Sequence, residues 1–176
     1  MITERVIFIA HYNSPLGGIT LTSDGLRLTG LWFNEMKSPE PKSGITEKRN
    51  LPVFDETRRW LDVYFNGRAP SFTPPLGLYA SGFRLHVWKI LLGIPYGCVT
   101  TYGEIAQRIG CRSAQAVGGA VAHNSILLVI PCHRVVGSNG SLTGYAGGLD
   151  RKLALLKLEN VQSVYSPHEI LRSQFQ

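Results

Sequence analysis

The sequence predicts an α+β protein in which a strand-rich first part precedes a mainly helical second part. Residues 6–33 contain three short apolar runs separated by turn residues, a pattern typical of β-strands. From residue 83 onward, apolar residues recur at the three- and four-residue spacing of helices. Between the two parts, the stretch RAPSFTPPLGLYASG contains three prolines and indicates a domain boundary. We therefore predict one domain over residues 1–79 and a second over residues 80–176.

The first domain is predicted to begin with strands and to continue with one helix. VIFIAHY, ITLT and LRLTGLWF are the strands, and NSPLGG and SDG are the turns between them. The charged stretch NEMKSPEPKSGITEKRN, residues 34–50, is predicted to be a mobile loop. FDETRRWLDVYFNG is predicted to be helical and to end at Asn66-Gly67. Its apolar face is formed by Phe54, Trp60, Leu61 and Tyr64 or Phe65.

Three helices are predicted in the second domain before its most unusual motif. The first, FRLHVWKILLGI, carries Phe83, Val87, Trp88 and Leu91 on one face. The second, TYGEIAQRIG, begins at a capping-box pattern formed by Thr101 and Glu104. Ser113 can cap the third, AQAVGGAVAHN, after a short turn. Two short helices joined by such a turn are typical of a helix-turn-helix.

The last of these helices contains an internal Gly118-Gly119 pair among alanines. Each glycine costs about 1 kcal/mol relative to alanine in a helix interior, so the small residues indicate close approach to another surface. That surface is either a neighbouring helix or a nucleic-acid backbone or groove floor, and the sequence leaves both open.

Composition limits the class of protein. No stretch of the 176 residues approaches the roughly 20 apolar residues of a membrane helix, and the N-terminus lacks a signal-peptide pattern, so we expect a cytoplasmic protein. Three cysteines without a CxxC motif indicate free thiols and no structural zinc. Residues 81–176 carry nine basic and four acidic side chains, a net +5, which fits either a nucleic-acid partner or an ordinary basic surface.

The motif VIPCHRVVG places Cys132, His133 and Arg134 together in an apolar stretch. Cys132 is either a small buried hydrophobe or a reactive thiol whose pKa a nearby base or cation lowers. Because Pro131 favours an extended residue before it, we expect Cys132 to follow an extended segment. Side chains of consecutive extended residues point to opposite faces, so His133 would reach the thiol only through a water or a twist of the chain.

Two more residues near this motif remain open to two interpretations. Glu159 ends the predicted helix LDRKLALLKLE, whose apolar stripe is Leu149, Leu153 and Leu156, and it is either a solvated surface carboxylate or the partner of a cation such as an imidazolium. Tyr145 lies in the glycine- and serine-rich loop GSNGSLTGYAGG. It forms either the wall of a pocket or an anchor that holds the loop.

These motifs together resemble the O6-alkylguanine-DNA alkyltransferases, the methylated-DNA–protein-cysteine methyltransferases. The resemblance rests on IPCHRVVG, on AVGGAVAHN before it and on GYAGG, RK, LL and E after it, and it extends from about Phe83 to Glu159. It implies a ribonuclease-H-like N-terminal domain and a winged-helix-like DNA-binding domain. It also implies single-turnover transfer of an alkyl group from O6-alkylguanine, and less well from O4-alkylthymine, to Cys132, without a cofactor or metal and in a monomer.

The same resemblance assigns roles to individual residues. His133 would accept the thiol proton through a water, with Glu159 behind it, and Asn124 would be the hinge after the recognition helix. Tyr102 would press on the DNA backbone and donate to the flipped base, and Tyr145 would form a pocket wall. Base recognition would use the backbone carbonyls of Cys132 and Val135 and the backbone N–H of Ala146. The expected DNA contacts on and before the recognition helix, which lies in the minor groove, are Arg112, Gln115, Gly118, Gly119 and Val121.

One position departs from the family's pattern. Gln115 stands where the family often has an arginine that enters the base stack, so we expect looser DNA binding with intact chemistry, and Arg112 could take part of that role. Two other hypotheses remain. A DNA-binding sensor without catalysis would not need Cys132, and a cysteine hydrolase with a Cys-His-Glu triad would turn over repeatedly on an acyl substrate.

Overall fold

The computed structural model describes residues 6–37 and 45–161, which form two compact units. The first unit comprises the described residues up to Tyr79 together with Ser125–Leu127, and the second comprises Ala80–Asn124 and the described residues from Leu128 onward. The α+β class predicted from the sequence is confirmed. Within the described ranges, no helix is both long and apolar enough to span a membrane.

A four-stranded sheet forms the first unit together with one helix. Its strands are β1 (Val6–Ser14), β2 (Gly17–Ser23), β3 (Leu28–Phe33) and β4 (Ile45–Lys48), in the spatial order β3-β2-β1-β4. β1 and β3 are antiparallel to β2, whereas β4 is parallel to β1. Helix α1 (Pro52–Phe65) packs against this sheet through its predicted apolar face. The core between them contains the buried side chains of Ile19, Leu21, Leu31, Phe33, Phe54, Leu61 and Tyr64.

The prediction of a loop over residues 34–50 is wrong for its last part, because Ile45–Lys48 form the edge strand β4. All four of these side chains are exposed. A strand that buries no face has no alternation of apolar and polar residues, so the sequence carried no signal for it. Residues 38–44 of the predicted loop lie outside the described residues.

The segment Ser125–Leu127 belongs to the first unit because it lies along strand β3. Leu31 pairs with Ile126, with hydrogen bonds of 2.8 Å from Leu31 N to Ser125 O and 2.9 Å from Leu127 N to Leu31 O. A turn follows, in which Leu128 has a φ of 68°. The expectation that Cys132 follows an extended segment is therefore wrong, since the chain must turn away from β3 before it reaches Cys132.

The second unit contains the predicted helices. They are α2 (Gly82–Leu92), α3 (Tyr102–Arg108), α4 (Ala114–Ala122) and α5 (Leu149–Leu158), and a 3₁₀ turn spans Cys132–Arg134. Strands β5 (Thr100–Thr101) and β6 (Val135–Val136) pair in parallel. The predicted capping box is confirmed: Thr101 Oγ1 accepts from Glu104 N, and Glu104 Oε2 accepts from Thr101 N. Ser113 caps α4 by accepting from Ala116 N at 3.1 Å.

Helix α2 packs against α4, which fixes the second helix of the helix-turn-helix from one side. Val87, Trp88 and Leu91 are buried as predicted, and Trp88 Nε1 donates to Ala120 O at 3.0 Å. Phe83 is 42% exposed, so its predicted place on the buried face is wrong. It lies in the first turn of α2.

Candidate active site

Cys132 begins the 3₁₀ turn and is a free, buried cysteine with 3% of its surface exposed. Burial raises the pKa of its thiol to about 11, although a hydrogen bond from Asn124 and the charge of Lys152 act in the opposite direction. The resting form at neutral pH is therefore the thiol. A nucleophilic use of this side chain requires that a neighbouring group accept its proton and that the site stabilise the thiolate.

Asn124 is fixed at the start of the segment that joins α4 to Cys132. Its Nδ2 donates to Cys132 Sγ at 3.1 Å and to Ile130 O at 2.8 Å, and the residue is 5% exposed. The two bonds use both protons of the amide and hold the thiol in a defined position. A hydrogen bond to sulfur favours the thiolate over the thiol. The structure thus brings together two residues that the sequence separates by eight positions.

His133 and Glu159 form a buried pair next to Cys132. His133 Nε2 lies 2.6 Å from Glu159 Oε1, and neither side chain is exposed. Burial lowers the pKa of His133, which keeps the imidazole neutral, while Glu159 opposes this effect. Because the chain is in a 3₁₀ turn, His133 and Cys132 are not on opposite faces as expected for a strand. Because Glu159 is buried and contacts His133, the interpretation of Glu159 as a partner of the imidazole is correct, and its interpretation as a solvated surface carboxylate is wrong.

Arg134 holds the same carboxylate from a second direction. Its Nε donates to Glu159 Oε2 at 2.8 Å and its Nη2 donates to Glu159 Oε1 at 3.0 Å, a bidentate pair. Burial raises the pKa of Glu159, but the hydrogen bonds and charges of His133 and Arg134 outweigh it and lower the pKa to about 2. Glu159 is therefore ionised at any physiological pH, and it can orient the imidazole and stabilise it when it becomes charged.

A turn at the end of α2 completes the surroundings of Glu159, and sequence reasoning missed it. Gly97 N donates to Glu159 Oε2 at 3.0 Å, and Arg134 Nη1 donates to Ile94 O at 2.6 Å. Gly97 has a φ of 77°, and a Cβ there would lie 3.1 Å from Glu159 O. The sequence PYGC carried a weak signal, since a glycine at the third position of a β-turn often takes a positive φ, and Cys98 N donates to Pro95 O across this turn. Gly97 and Glu159 are 62 residues apart in the sequence, so their contact could not be predicted from it.

A cavity of about 330 Å³ opens onto Cys132, which is within the range of small-molecule sites. Tyr102 lies on its wall and donates from its hydroxyl to Thr143 O at 3.3 Å. Tyr145 also forms the wall and packs edge-on against His133, with 6.4 Å between ring centroids. Because Tyr145 lines the cavity, the structure favours the interpretation of this residue as a pocket wall. The complete lining is Tyr102, Gly118, Val121, Ala122, Cys132, Gly144, Tyr145 and Ala146.

The outer face of α4 is open. Arg112 and Gln115 are exposed, and a Cβ built on Gly119 meets nothing within 4 Å. A neighbouring helix therefore does not explain Gly119. A Cβ on Gly118 would lie 3.9 Å from the ring of Tyr102, so this glycine lines the cavity instead. Val135 does not line the cavity; it lies in β6, directly after the turn that carries Cys132.

Lys152 is a further buried charge that sequence reasoning missed. Its Nζ donates to the carbonyls of Val135, Thr143 and Gly144. The lysine is one residue before Leu153 in the predicted apolar stripe, and its place in the sequence resembles that of any surface lysine on a helix. Residues 6–37 and 45–161 contain no group of three or more His, Cys, Asp or Glu able to hold a metal ion.

Fold and site together define a two-unit protein with a helix-turn-helix and a buried thiol at the wall of a cavity. Its sequence matches two family models: the 6-O-methylguanine DNA methyltransferase ribonuclease-like domain over residues 7–78 and the DNA-binding domain of the same family over residues 82–161. The chain therefore belongs to the 6-O-methylguanine DNA methyltransferase family, and it is an enzyme of the transferase class.

Individual relatives agree with this family over nearly the whole chain. A Haemophilus influenzae methylated-DNA–protein-cysteine methyltransferase is 38% identical over 172 residues, which cover 96% of this chain and 95% of the relative. One from Methanosarcina acetivorans is 43% identical, covering 87% and 98% of the two chains. The crystal structure of Mycobacterium tuberculosis OGT in complex with DNA has a TM-score of 0.78 and 40% identity, covering 93% and 96%.

Proposed function

We propose that this protein repairs O6-alkylguanine in DNA by transferring the alkyl group to Cys132. The observation that carries the proposal is the cavity of about 330 Å³ that opens onto the buried thiol beside the His133–Glu159 pair. In this reaction the sulfur attacks the alkyl carbon, and the carbon–O6 bond breaks with its electron pair on oxygen. The released guanine then takes up a proton in place of the alkyl group. The product is a thioether, which is stable, so each molecule reacts once and irreversibly.

Proton removal is assigned to His133. Its Nε2 faces Glu159, so its Nδ1, which is buried, is the nitrogen that accepts the thiol proton through a water. Glu159 stays ionised and stabilises the imidazolium that forms. Burial of the thiol raises its pKa to about 11, which is the reason why the reaction needs a base so close to Cys132.

The alkylated base must leave the DNA stack to reach this cavity. Base flipping costs a few kcal/mol and costs least for a damaged pair. The exposed small-residue face of α4 is suited to the minor groove, with Gln115 or Arg112 near the position that the base vacates. Tyr102 would exchange its bond with Thr143 O for one with the base. The carbonyls of Cys132 and Val135 would accept from the guanine amino group, and the N–H of Ala146 would bind O6.

The remaining features of the proposal follow from this chemistry. O4-alkylthymine is a slower substrate, since it presents a similar alkyl–oxygen bond on a smaller base. The protein acts as a monomer, because one chain carries the whole site. Because its substrate is DNA, the protein acts at the nucleoid in the cytoplasm if it is bacterial, or in the nucleus if it is eukaryotic. Relatives solved with DNA, such as the M. tuberculosis protein, support the choice of partner.

Intact-protein and peptide mass spectrometry after incubation with an O6-methylguanine oligonucleotide tests the proposal. We expect one methyl group per molecule on the Cys132 peptide and none in Cys132→Ala. Binding of the oligonucleotide without a mass gain would leave a lesion-binding sensor. Repeated turnover of an ester or amide would favour the cysteine hydrolase. Either of these two results would overturn the transferase assignment for this chain.

A further inference from the structure

His123 ends α4 and is exposed on the side of the helix that carries Gly119. Residues four apart lie on the same side of a helix, so Gln115, Gly119 and His123 form one exposed row, which we call the α4 stripe. Ala122, the residue before His123, lines the cavity that opens onto Cys132. The α4 stripe therefore ends next to a residue of the cavity wall.

One ring nitrogen of His123 is used by the helix itself. Nδ1 lies 2.6 Å from Gly119 O, and because a carbonyl oxygen can only accept, Nδ1 carries the proton and donates. The last four carbonyls of a helix have no intrahelical N–H partner, and the backbone N–H of His123 donates to Val121 O. Capping of the helix end therefore explains the position of Nδ1 and leaves Nε2 unexplained.

The second ring nitrogen of His123 is a hydrogen-bonding group held in a defined place. Nε2 has no hydrogen-bond partner among residues 6–37 and 45–161. The bond that one imidazole nitrogen makes decides which nitrogen carries the proton, so Nε2 of the neutral ring is an acceptor. The exposed end of α4 thus presents one acceptor, and the bond to Gly119 O restricts the orientation of its ring.

The base edges in the minor groove differ in what they offer to such an acceptor. An A·T pair presents only acceptors there, adenine N3 and thymine O2, whereas a G·C pair adds the amino group of guanine N2. A helix rises about 1.5 Å per residue, which separates His123 from Gln115 by about 12 Å along α4. At about 3.4 Å per base pair, this distance corresponds to three or four pairs of a duplex.

We propose that His123 is a specificity-determining residue whose Nε2 accepts a hydrogen bond from the amino group of guanine in an intact G·C pair near the lesion. This inference rests on the proposed function, because it takes α4 as the element that lies in the minor groove. The two ends of the α4 stripe then have different tasks. Gln115 lies near the position that the flipped base vacates, and His123 reads a flanking pair, so the protein prefers some sequence contexts of O6-alkylguanine.

Fluorescence anisotropy with duplexes that contain one O6-methylguanine tests this inference. A single G·C pair is moved stepwise through the A·T pairs on each side of the lesion, and in a matched duplex its guanine is replaced by inosine, which lacks only the N2 amino group. Binding is measured in Cys132→Ala, so that no alkyl group is transferred, and at about pH 8.5, above the range in which histidine ordinarily changes charge. At one position of the G·C pair, we expect inosine to weaken binding about threefold to tenfold. Adding His123→Ala should abolish this difference.

Two further variants separate recognition from a structural role. His123→Gln offers an amide oxygen as acceptor and should restore part of the inosine effect. His86→Ala removes an exposed histidine of α2 and should leave the effect unchanged.

Three results would count against the role given to His123. An inosine effect of equal size with and without His123 at every position would overturn it. A uniform loss of affinity in His123→Ala, with a salt dependence reduced by about one phosphate contact, would overturn it too, because it identifies a backbone contact. If Cys132→Ala did not bind the methylated duplex, the proposed function and this inference would fail together, whereas binding without the inosine difference contradicts this inference alone.

Discussion

At the scale of single residues, the site combines a thiol that burial protects with groups that favour its ionisation. Cys132 is 3% exposed and its pKa is raised to about 11, so the thiol is the resting form at neutral pH. Asn124 donates to the sulfur, and the Glu159 carboxylate fixes His133 beside it. This arrangement keeps the thiol protonated in the resting protein and would suit the single-turnover transfer proposed above.

Glu159 should make the stability of the protein depend on acid. Its pKa in the folded protein, about 2, is below the ordinary value of 4.5, so its stabilising contribution is complete above about pH 4.5 and is lost as the pH falls toward 2. Glu159→Gln leaves Arg134 buried without a charged partner, and we expect a loss of about 3 kcal/mol in the free energy of unfolding at pH 7. Urea denaturation between pH 2 and 7 measures both effects.

Asp24 offers a matched control for this prediction. Its pKa is also lowered to about 2, by backbone hydrogen bonds from Arg27 and Leu26 and by Tyr79, against the opposing effect of burial. Asp24→Asn should remove part of the acid dependence of unfolding and leave the reactivity of Cys132 unchanged, because all its partners lie in the first unit. If Glu159→Gln and wild type lost stability in parallel between pH 4.5 and 2, the role given to Glu159 would be wrong.

At the scale of secondary-structure elements, α4 carries mainly small side chains around Gly119 on its exposed face. One side buries Val117, Ala120 and Val121 as α4 packs on α2 and α3. The other side exposes Gly119, where a built Cβ meets nothing within 4 Å. Folding therefore does not require glycine at position 119, and alanine would favour the helix by about 1 kcal/mol. A residue that weakens the helix without helping its packing is typical of a surface used for binding.

Gly119→Ala should separate stability from DNA binding. We expect the free energy of unfolding to rise by up to about 1 kcal/mol. Affinity for an O6-methylguanine duplex should fall severalfold, because the methyl group enters the surface that we propose to face DNA. Thermal unfolding and fluorescence anisotropy give the two quantities. Gly118→Ala is the companion variant, since its methyl group would lie 3.9 Å from Tyr102 and reduce the cavity. Unchanged DNA affinity in Gly119→Ala would exclude α4 as the groove-binding element.

At the scale of the whole molecule, the two sequence domains are not independent segments of chain. Ser125–Leu127 belong to the first unit, where they are hydrogen-bonded to Leu31 of β3. Ile126 and Leu127 are fully buried, and burial of such side chains contributes roughly 1.5–3 kcal/mol each. The first unit therefore contributes to the folding of a segment that leads directly to the Cys132 turn.

A fragment of residues 80–176 should accordingly fold poorly by itself. It lacks β3, so Ile126 and Leu127 would be left in water, and we expect self-association in size-exclusion chromatography and a large loss of alkyl transfer. Co-expression with residues 1–79 should restore a soluble complex, and Ile126→Ser with Leu127→Ser in the fragment should reduce the self-association. A monodisperse, fully active fragment would contradict this view of the first unit.

Much of the architecture could be predicted because its signals are local. The strands β1 to β3, the helices, the capping box of Thr101 and Glu104 and the cap at Ser113 depend on periodicity and on neighbours within four residues. Strand β4 was not predicted because all its side chains are exposed. The prediction of an extended segment before Cys132 was wrong because the chain turns at Leu128, after its pairing with β3.

The sequence by itself determined the order of the elements, the helix-turn-helix and the identity of the thiol, since PCHR and its surroundings are contiguous. Only the tertiary structure decided what surrounds that thiol. Glu159 is 26 residues from His133, Gly97 is 62 residues from Glu159, and Lys152 reaches carbonyls up to 17 residues away. A buried charge looks the same as a surface charge in a sequence, because its environment is created by segments that meet only when the chain folds.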